Sequence, residues 1–131
     1  MASHRILPDT CAWIDFFNAR KTPLASAVEY LLQSGEVYTC GIVKYELVQG
    51  VRSVKEEKML VTAMQSLFYI ELTEPLWLKA GQLAALLRRK GVTIPFSDTL
   101  IAVIAKEENL TILTTDRHFG QVPEILTIAG L

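Results

Sequence analysis

Apolar positions along this chain switch repeatedly between two spacings. In "TPLASAVEYLLQSGE", Leu24, Ala27, Val28, Leu31 and Leu32 recur at helical intervals, and Gly35 marks the end of that helix. Short apolar runs read instead as strands: one at about 4–7, then "VYTC", "FYIEL" and "LTILTT", with "EILTIAG" as a short edge strand. Between them the pattern predicts helices over 12–19, over "IVKYELVQGV" after Gly41, and over 55–67. It also predicts a long helix in "EPLWLKAGQLAALLRRKG", with Pro75 in its first turn and Gly91 just past its end, and another in "SDTLIAVIAKEEN". Strands alternating with helices indicate one α/β domain over 1–131, with a central, mostly parallel sheet of four to five short strands. Right-handed crossovers place helices on both faces of such a sheet, and ligands gather beyond the carboxyl ends of its strands.

Four acids are expected at that rim. Asp9 and Asp116 follow predicted strands, Asp98 opens the helix "SDTLIAVIA", and Glu46 sits in the helix after the second strand. Each has an ordinary alternative. Asp9 is a good N-cap for a helix beginning near Ala12, although Thr10 is able to cap it instead and leave Asp9 free. Glu46 shares its helical face with Ile42, Val43, Gln49 and Gly50, while Lys44, Val48 and Arg52 point elsewhere, so a purely solvated role suits it poorly. Asp98 complements a helix dipole, with Ser97 well placed as the cap. Yet its helix is apolar on every side, and a carboxylate heading a buried helix needs a partner. Asp116 serves equally as a turn residue after a strand. Gathered in one pocket, four carboxylates repel each other and take up protons unless a divalent cation removes the penalty. With only oxygen donors on offer, the ion expected is Mg²⁺ or Mn²⁺ rather than zinc or copper.

Charge and composition narrow the alternatives. The chain of 131 residues has a net charge of −1, which argues against a conventional basic nucleic-acid binder. Setting the four acids aside leaves 13 basic residues against the other 10 of 14 acidic ones, a mildly basic body around an acidic pocket. That distribution suits a polyanion held through metal ions. Cys11 and Cys40 form no CxxC and suggest neither a disulfide framework nor a zinc site. No apolar run is long enough for a membrane helix and "MASHRIL" lacks signal-peptide character, so a cytoplasmic, non-membrane protein is expected.

"LPDTCAWIDFF", "VKYELVQG", "IPFSDTLIAVIA" and "ILTTDRHF", in this order and at these intervals, resemble the PIN-domain ribonucleases, in particular the VapC-type toxins of toxin–antitoxin modules. The resemblance covers essentially the whole chain. It implies that Asp9, Glu46, Asp98 and Asp116 form a catalytic acidic quartet, with Asp9, Asp98 and Asp116 holding the metal and Thr114 supporting the carboxylates through its hydroxyl. Many relatives carry another acid two residues after the fourth one; here that position is His118. The implied protein is a Mg²⁺-dependent endoribonuclease, with Mn²⁺ able to substitute, whose partners are RNA, a small cognate antitoxin and a second copy of itself within a larger toxin–antitoxin complex.

Under that reading, metal-activated water hydrolyses an RNA phosphodiester in line and leaves a 5′-phosphate. Glu46 either completes the metal shell or accepts the water's proton. No histidine pair of the metal-free ribonuclease type is available: His4 is near the terminus and His118 has no evident partner. Arg117 and His118 either hold substrate phosphate or are solvated loop residues. Arg88, Arg89 and Lys90 suit the negative end of a helix, and Trp13 and Trp77 suit core or interface packing. Two rival functions place acids similarly. A Mg²⁺-dependent phosphohydrolase wants D-x-D after the first strand, where "DTC" supplies one acid. A catalytically inactive PIN-like module would bind a partner peptide only.

Overall fold

The computed structural model describes residues 5–131. Five strands and six helices alternate: β1 (Arg5–Pro8), α1 (Thr10–Phe17), α2 (Pro23–Ser34), β2 (Glu36–Cys40), α3 (Gly41–Gln49), α4 (Val54–Met64), β3 (Phe68–Ile70), α5 (Glu74–Arg89), α6 (Phe96–Glu107), β4 (Thr111–Leu113) and β5 (Leu126–Ile128). A short 3₁₀ turn, Arg117–Gln121, joins the last two strands. His4, the first position of the predicted opening strand, lies outside the described residues.

Local chemistry accounts for where the helices start and stop. The Thr22 hydroxyl accepts from the Ala25 amide at 3.1 Å at the head of α2, with Pro23 in the first helical position. The Ser53 hydroxyl does the same for Glu56 at 3.1 Å, with the serine-to-glutamate spacing of a capping box at the head of α4. Gly91, at φ +79°, ends α5: its amide reaches the Arg88 carbonyl and the Val92 amide reaches Leu87, both at 2.9 Å, a Schellman closure. Gly35 ends α2 differently, in extended backbone at φ −120°.

Several predicted bounds shift. The first helix begins at Thr10 rather than at 12, because the Asp9 carbonyl accepts from the Ala12 amide at 3.0 Å. The α6 helix begins at Phe96 with Pro95 in the cap position, so Ser97 lies inside the first turn and is not the cap. The runs "FYIEL" and "LTILTT" are strand only over three residues each. Thr114, just past β4, still donates its amide to the Ile128 carbonyl of β5 at 2.9 Å while its hydroxyl turns to the acids.

All pairings are parallel, in the order β3-β2-β1-β4-β5. In register, Ile6 lies opposite Val37 and Thr111, and Leu7 opposite Ile112. The steps from β1 to β2 and from β2 to β3 run one way through α1–α2 and α3–α4, and α1 packs on α3. The return from β3 to β4 crosses over two strands through α5 and α6, which pack on each other. Right-handed crossovers in opposite directions set these two helical groups on opposite faces. The core lies between them, around Leu7, Trp13, Val28, Ile101, Ile104 and Ile112. From Asp98 to Ala105, α6 is buried without interruption.

This order fixes where a site belongs. The chain leaves β1 toward β2 on one side, and leaves β4 toward β5 on the other. The two loops diverge from adjacent strands and open a crevice beyond their carboxyl ends, the usual ligand position in such sheets.

A candidate acidic centre at the switch point

Asp9 follows β1 at this crevice. Its amide donates to the Leu113 carbonyl at 3.0 Å, which ties the end of β1 to β4. Its carboxylate is 5% exposed and well supplied with donors. Oδ1 accepts from the Thr10 amide at 2.9 Å, and Oδ2 accepts from the Thr114 hydroxyl at 2.9 Å and the Cys11 thiol at 3.8 Å. Asp9 thus occupies the cap of α1 while facing the crevice, and capping by Thr10 is overturned. Thr10 is the first helical residue, and its hydroxyl donates instead to Glu46 Oε1 on α3 at 2.6 Å. One oxygen of Asp9 serves the helix and the other faces the end of β4.

Thr114 links the last two motifs. Its hydroxyl donates to Asp9 and accepts from the Asp116 amide at 2.9 Å. Asp116 heads the 3₁₀ turn, with Oδ1 accepting from the His118 amide at 2.9 Å. That turn folds the imidazole back: His118 Nδ1 lies 2.8 Å from Asp116 Oδ1 and 3.2 Å from Asp98 Oδ2. The expectation that His118 has no partner is therefore wrong. The local signal available was its position two residues after an aspartate, a residue whose side chain commonly bonds the backbone two residues on.

Asp98, in the first turn of α6, has the opposite surroundings to Asp9. It is 7% exposed, and Oδ2 is sealed from solvent with no hydrogen-bond partner. The 3.2 Å approach of His118 Nδ1 does not supply hydrogen-bond geometry.

Burial first, then the charge of Asp116, a hydrogen bond with Asp116 and the charge of Asp9 push the Asp98 carboxyl up to about 7, with His118 opposing. Burial also raises Asp9; the Thr10 amide and Thr114 hydroxyl counter it, and Asp116 and Glu46 add to it. All four acids therefore lie within one electrostatic field. Among the described residues, the tightest potential cation-binding group is narrower: ligand atoms of Asp98, Asp116 and His118 all lie within 4.8 Å of one another. Asp9 and Glu46 stand outside that group, and the imidazole adds a nitrogen donor beside the two carboxylates. An unpartnered buried carboxylate oxygen beside a second carboxylate and a nitrogen donor fits a divalent cation.

Beside the acids, a groove of about 380 Å³ is lined by Tyr45, Glu46, Tyr69, Trp77, Phe96 and Ser97, among others. Trp13 is core, fully buried. Trp77 is 47% exposed and stacks on Phe96 at 6.1 Å, so its packing is on this groove and not in the core. Arg117 is exposed next to the cluster. None of the helices among the described residues is long and apolar enough to cross a membrane.

The family model described as PIN domain matches residues 6–125. No curated protein sequence matches the chain. Among solved structures, VapBC2 from Rickettsia felis, bound to a DNA fragment from its promoter, superposes with a TM-score of 0.77 at 21% identity, covering 94% of this chain and 96% of that one. FitAcB from Neisseria gonorrhoeae gives 0.71 at 25% identity, with 94% and 96% covered. VapC20 from Mycobacterium tuberculosis, a Sarcin-Ricin loop cleaving toxin, gives 0.64 at 17% identity, with 88% and 92% covered.

Proposed function

This chain belongs to the PIN domain family, and on that premise we propose that it is a metal-dependent endoribonuclease, the toxin half of a VapBC-type toxin–antitoxin pair. The observation that carries the proposal is Asp98: a buried carboxylate whose inner oxygen has no donor, set against Asp116 at the sheet's switch point. A protein stabilised only by its own contacts gains nothing from that arrangement, because the desolvation cost is left unmet.

Asp98 and Asp116 would hold the ion, with Asp9 completing the acidic wall. The cation would supply concentrated positive charge against the anionic phosphoryl transition state and make water at the site more acidic. The chain's own side chains do the rest. Thr114 fixes the orientation of the Asp9 carboxylate and the position of the Asp116 backbone through one hydroxyl. Thr10 holds Glu46 Oε1 at 2.6 Å, so the other oxygen of that carboxylate is presented in a fixed orientation to accept a proton from the attacking water. Arg117, exposed at the rim, is suited to a substrate phosphate. Water as nucleophile does not require the 2′-hydroxyl, and the product is a 5′-phosphate.

By the same reading the partners are RNA and a small antitoxin, the toxin pairs with a second copy, and the complex works in the cytoplasm. VapBC complexes among the superposable structures support the antitoxin. The test is cleavage of total cellular RNA by purified protein, with ends mapped. Activity should vanish with EDTA, return with Mg²⁺ or Mn²⁺, and be absent in Asp98→Asn. Cleavage that ignores the chelator, or is undiminished in pure Asp98→Asn, would overturn the proposal.

A further inference from the structure

The nitrogen in the acidic cluster has a consequence for which ion the site takes. Of the three groups whose ligand atoms lie within 4.8 Å of one another, two are carboxylates and the third is the His118 imidazole. Its Nδ1 stands 2.8 Å from Asp116 Oδ1 and 3.2 Å from Asp98 Oδ2. Ligands about 2.1 Å from an octahedrally bound ion are separated by about 3 Å along each edge, so these spacings are those of neighbouring positions in one coordination shell. The ring is held there: the His118 amide donates to Asp116 Oδ1 at 2.9 Å, closing the turn that aims the imidazole inward. A second observation points to a ligand independently. Asp98 is more than nine-tenths buried, and its Oδ2, which Nδ1 approaches at 3.2 Å, has no hydrogen-bond partner.

Resting on the reading of the acids as a cation site, we propose that His118 is a direct ligand, making the site a mixed nitrogen–oxygen one that prefers Mn²⁺, or another first-row transition ion, over Mg²⁺. The reason is donor chemistry. Mg²⁺ is hard, favours oxygen and gains little from imidazole, whereas affinity for nitrogen-containing sites climbs from Mn²⁺ along the first transition row. An aspartate at position 118 would return the site to oxygen alone. His118 is thus a specificity-determining residue.

Pulsed electron paramagnetic resonance of Mn²⁺ bound to the metal-free full-length protein reads the contact directly, because an imidazole ligand imprints ¹⁴N modulation on the manganese signal. The wild type should show that modulation and His118→Ala should lose it. By calorimetry, His118→Ala should weaken Mn²⁺ by at least about tenfold and Mg²⁺ far less, whereas His118→Asp should tighten Mg²⁺ and narrow the preference. Mn²⁺ bound by the wild type without ¹⁴N modulation would overturn the proposal. So would tighter Mn²⁺ binding by His118→Ala, which would make the imidazole a plug rather than a ligand. If the ¹⁴N signal is present but no RNA is cleaved, the nuclease reading fails and the ligand assignment stands.

Discussion

Asp9 and Asp98 make an instructive pair. Both are buried carboxylates at the heads of helices, both face the same crevice, and burial raises the pKa of both. Asp9 is furnished from within: an amide, a hydroxyl and a thiol all point at it. Asp98 has a helix N-terminus behind it and an inner oxygen that nothing satisfies, and it is pushed up to about 7. The fold has therefore finished one carboxylate and left the other incomplete. A helix dipole contributes only about 0.3–1 kcal/mol and does not offset the burial of a charge.

The contrast predicts effects of different size. The largest is on chemistry: Asp98→Asn should reduce metal-dependent RNA cleavage by at least about 10²-fold, measured with purified protein, while circular dichroism shows the fold intact. Next is pH. Between its ordinary value of 3.8 and about 7, folded metal-free protein keeps a proton on Asp98 that the unfolded chain has lost. Stability of the metal-free protein should therefore fall as pH rises through that window, lowering the melting temperature by roughly 5 °C from pH 5 to pH 8. Asp98→Asn should flatten this dependence, and saturating Mn²⁺ should raise the melting temperature more at pH 8 than at pH 5. Thr114→Val probes the finished side. It removes a donor from Asp9 and an acceptor from the Asp116 amide, and should cost about 2 kcal/mol in denaturant unfolding. Smallest is Thr10→Val, which frees half-buried Glu46. It should cost about 1 kcal/mol or less in stability and slow cleavage by about tenfold.

Much of this organisation was written in hydrophobic spacing. The alternation of short apolar runs with helical repeats specified the parallel sheet, and Gly35, Pro75 and Gly91 marked helix ends by backbone chemistry that operates locally. The four acids were legible because each interrupts an apolar context, Asp98 most clearly at the head of a helix buried on all sides. What spacing does not carry is side-chain direction across the sheet. Thr10 looks like a cap in sequence, yet its hydroxyl serves Glu46, 36 residues away. Pro95 rather than Ser97 stands at the cap of α6, where its carbonyl, and no side chain, accepts from the Thr99 amide at 3.1 Å. His118 appeared solitary because its partner Asp98 reaches it only through the fold, while its other partner, Asp116, was hidden in a turn too short to show a period. Trp77 carries a core residue's hydrophobicity but belongs to the aromatic groove.

On this reading a divalent cation at Asp98 completes the crevice between β1 and β4. Titrating Mn²⁺ into metal-free protein at pH 7.5 by calorimetry, wild type beside Asp98→Asn, tests it most directly. Saturable binding by the wild type that disappears in the folded variant is the predicted result. No binding by the wild type, or equal binding by Asp98→Asn, would contradict it.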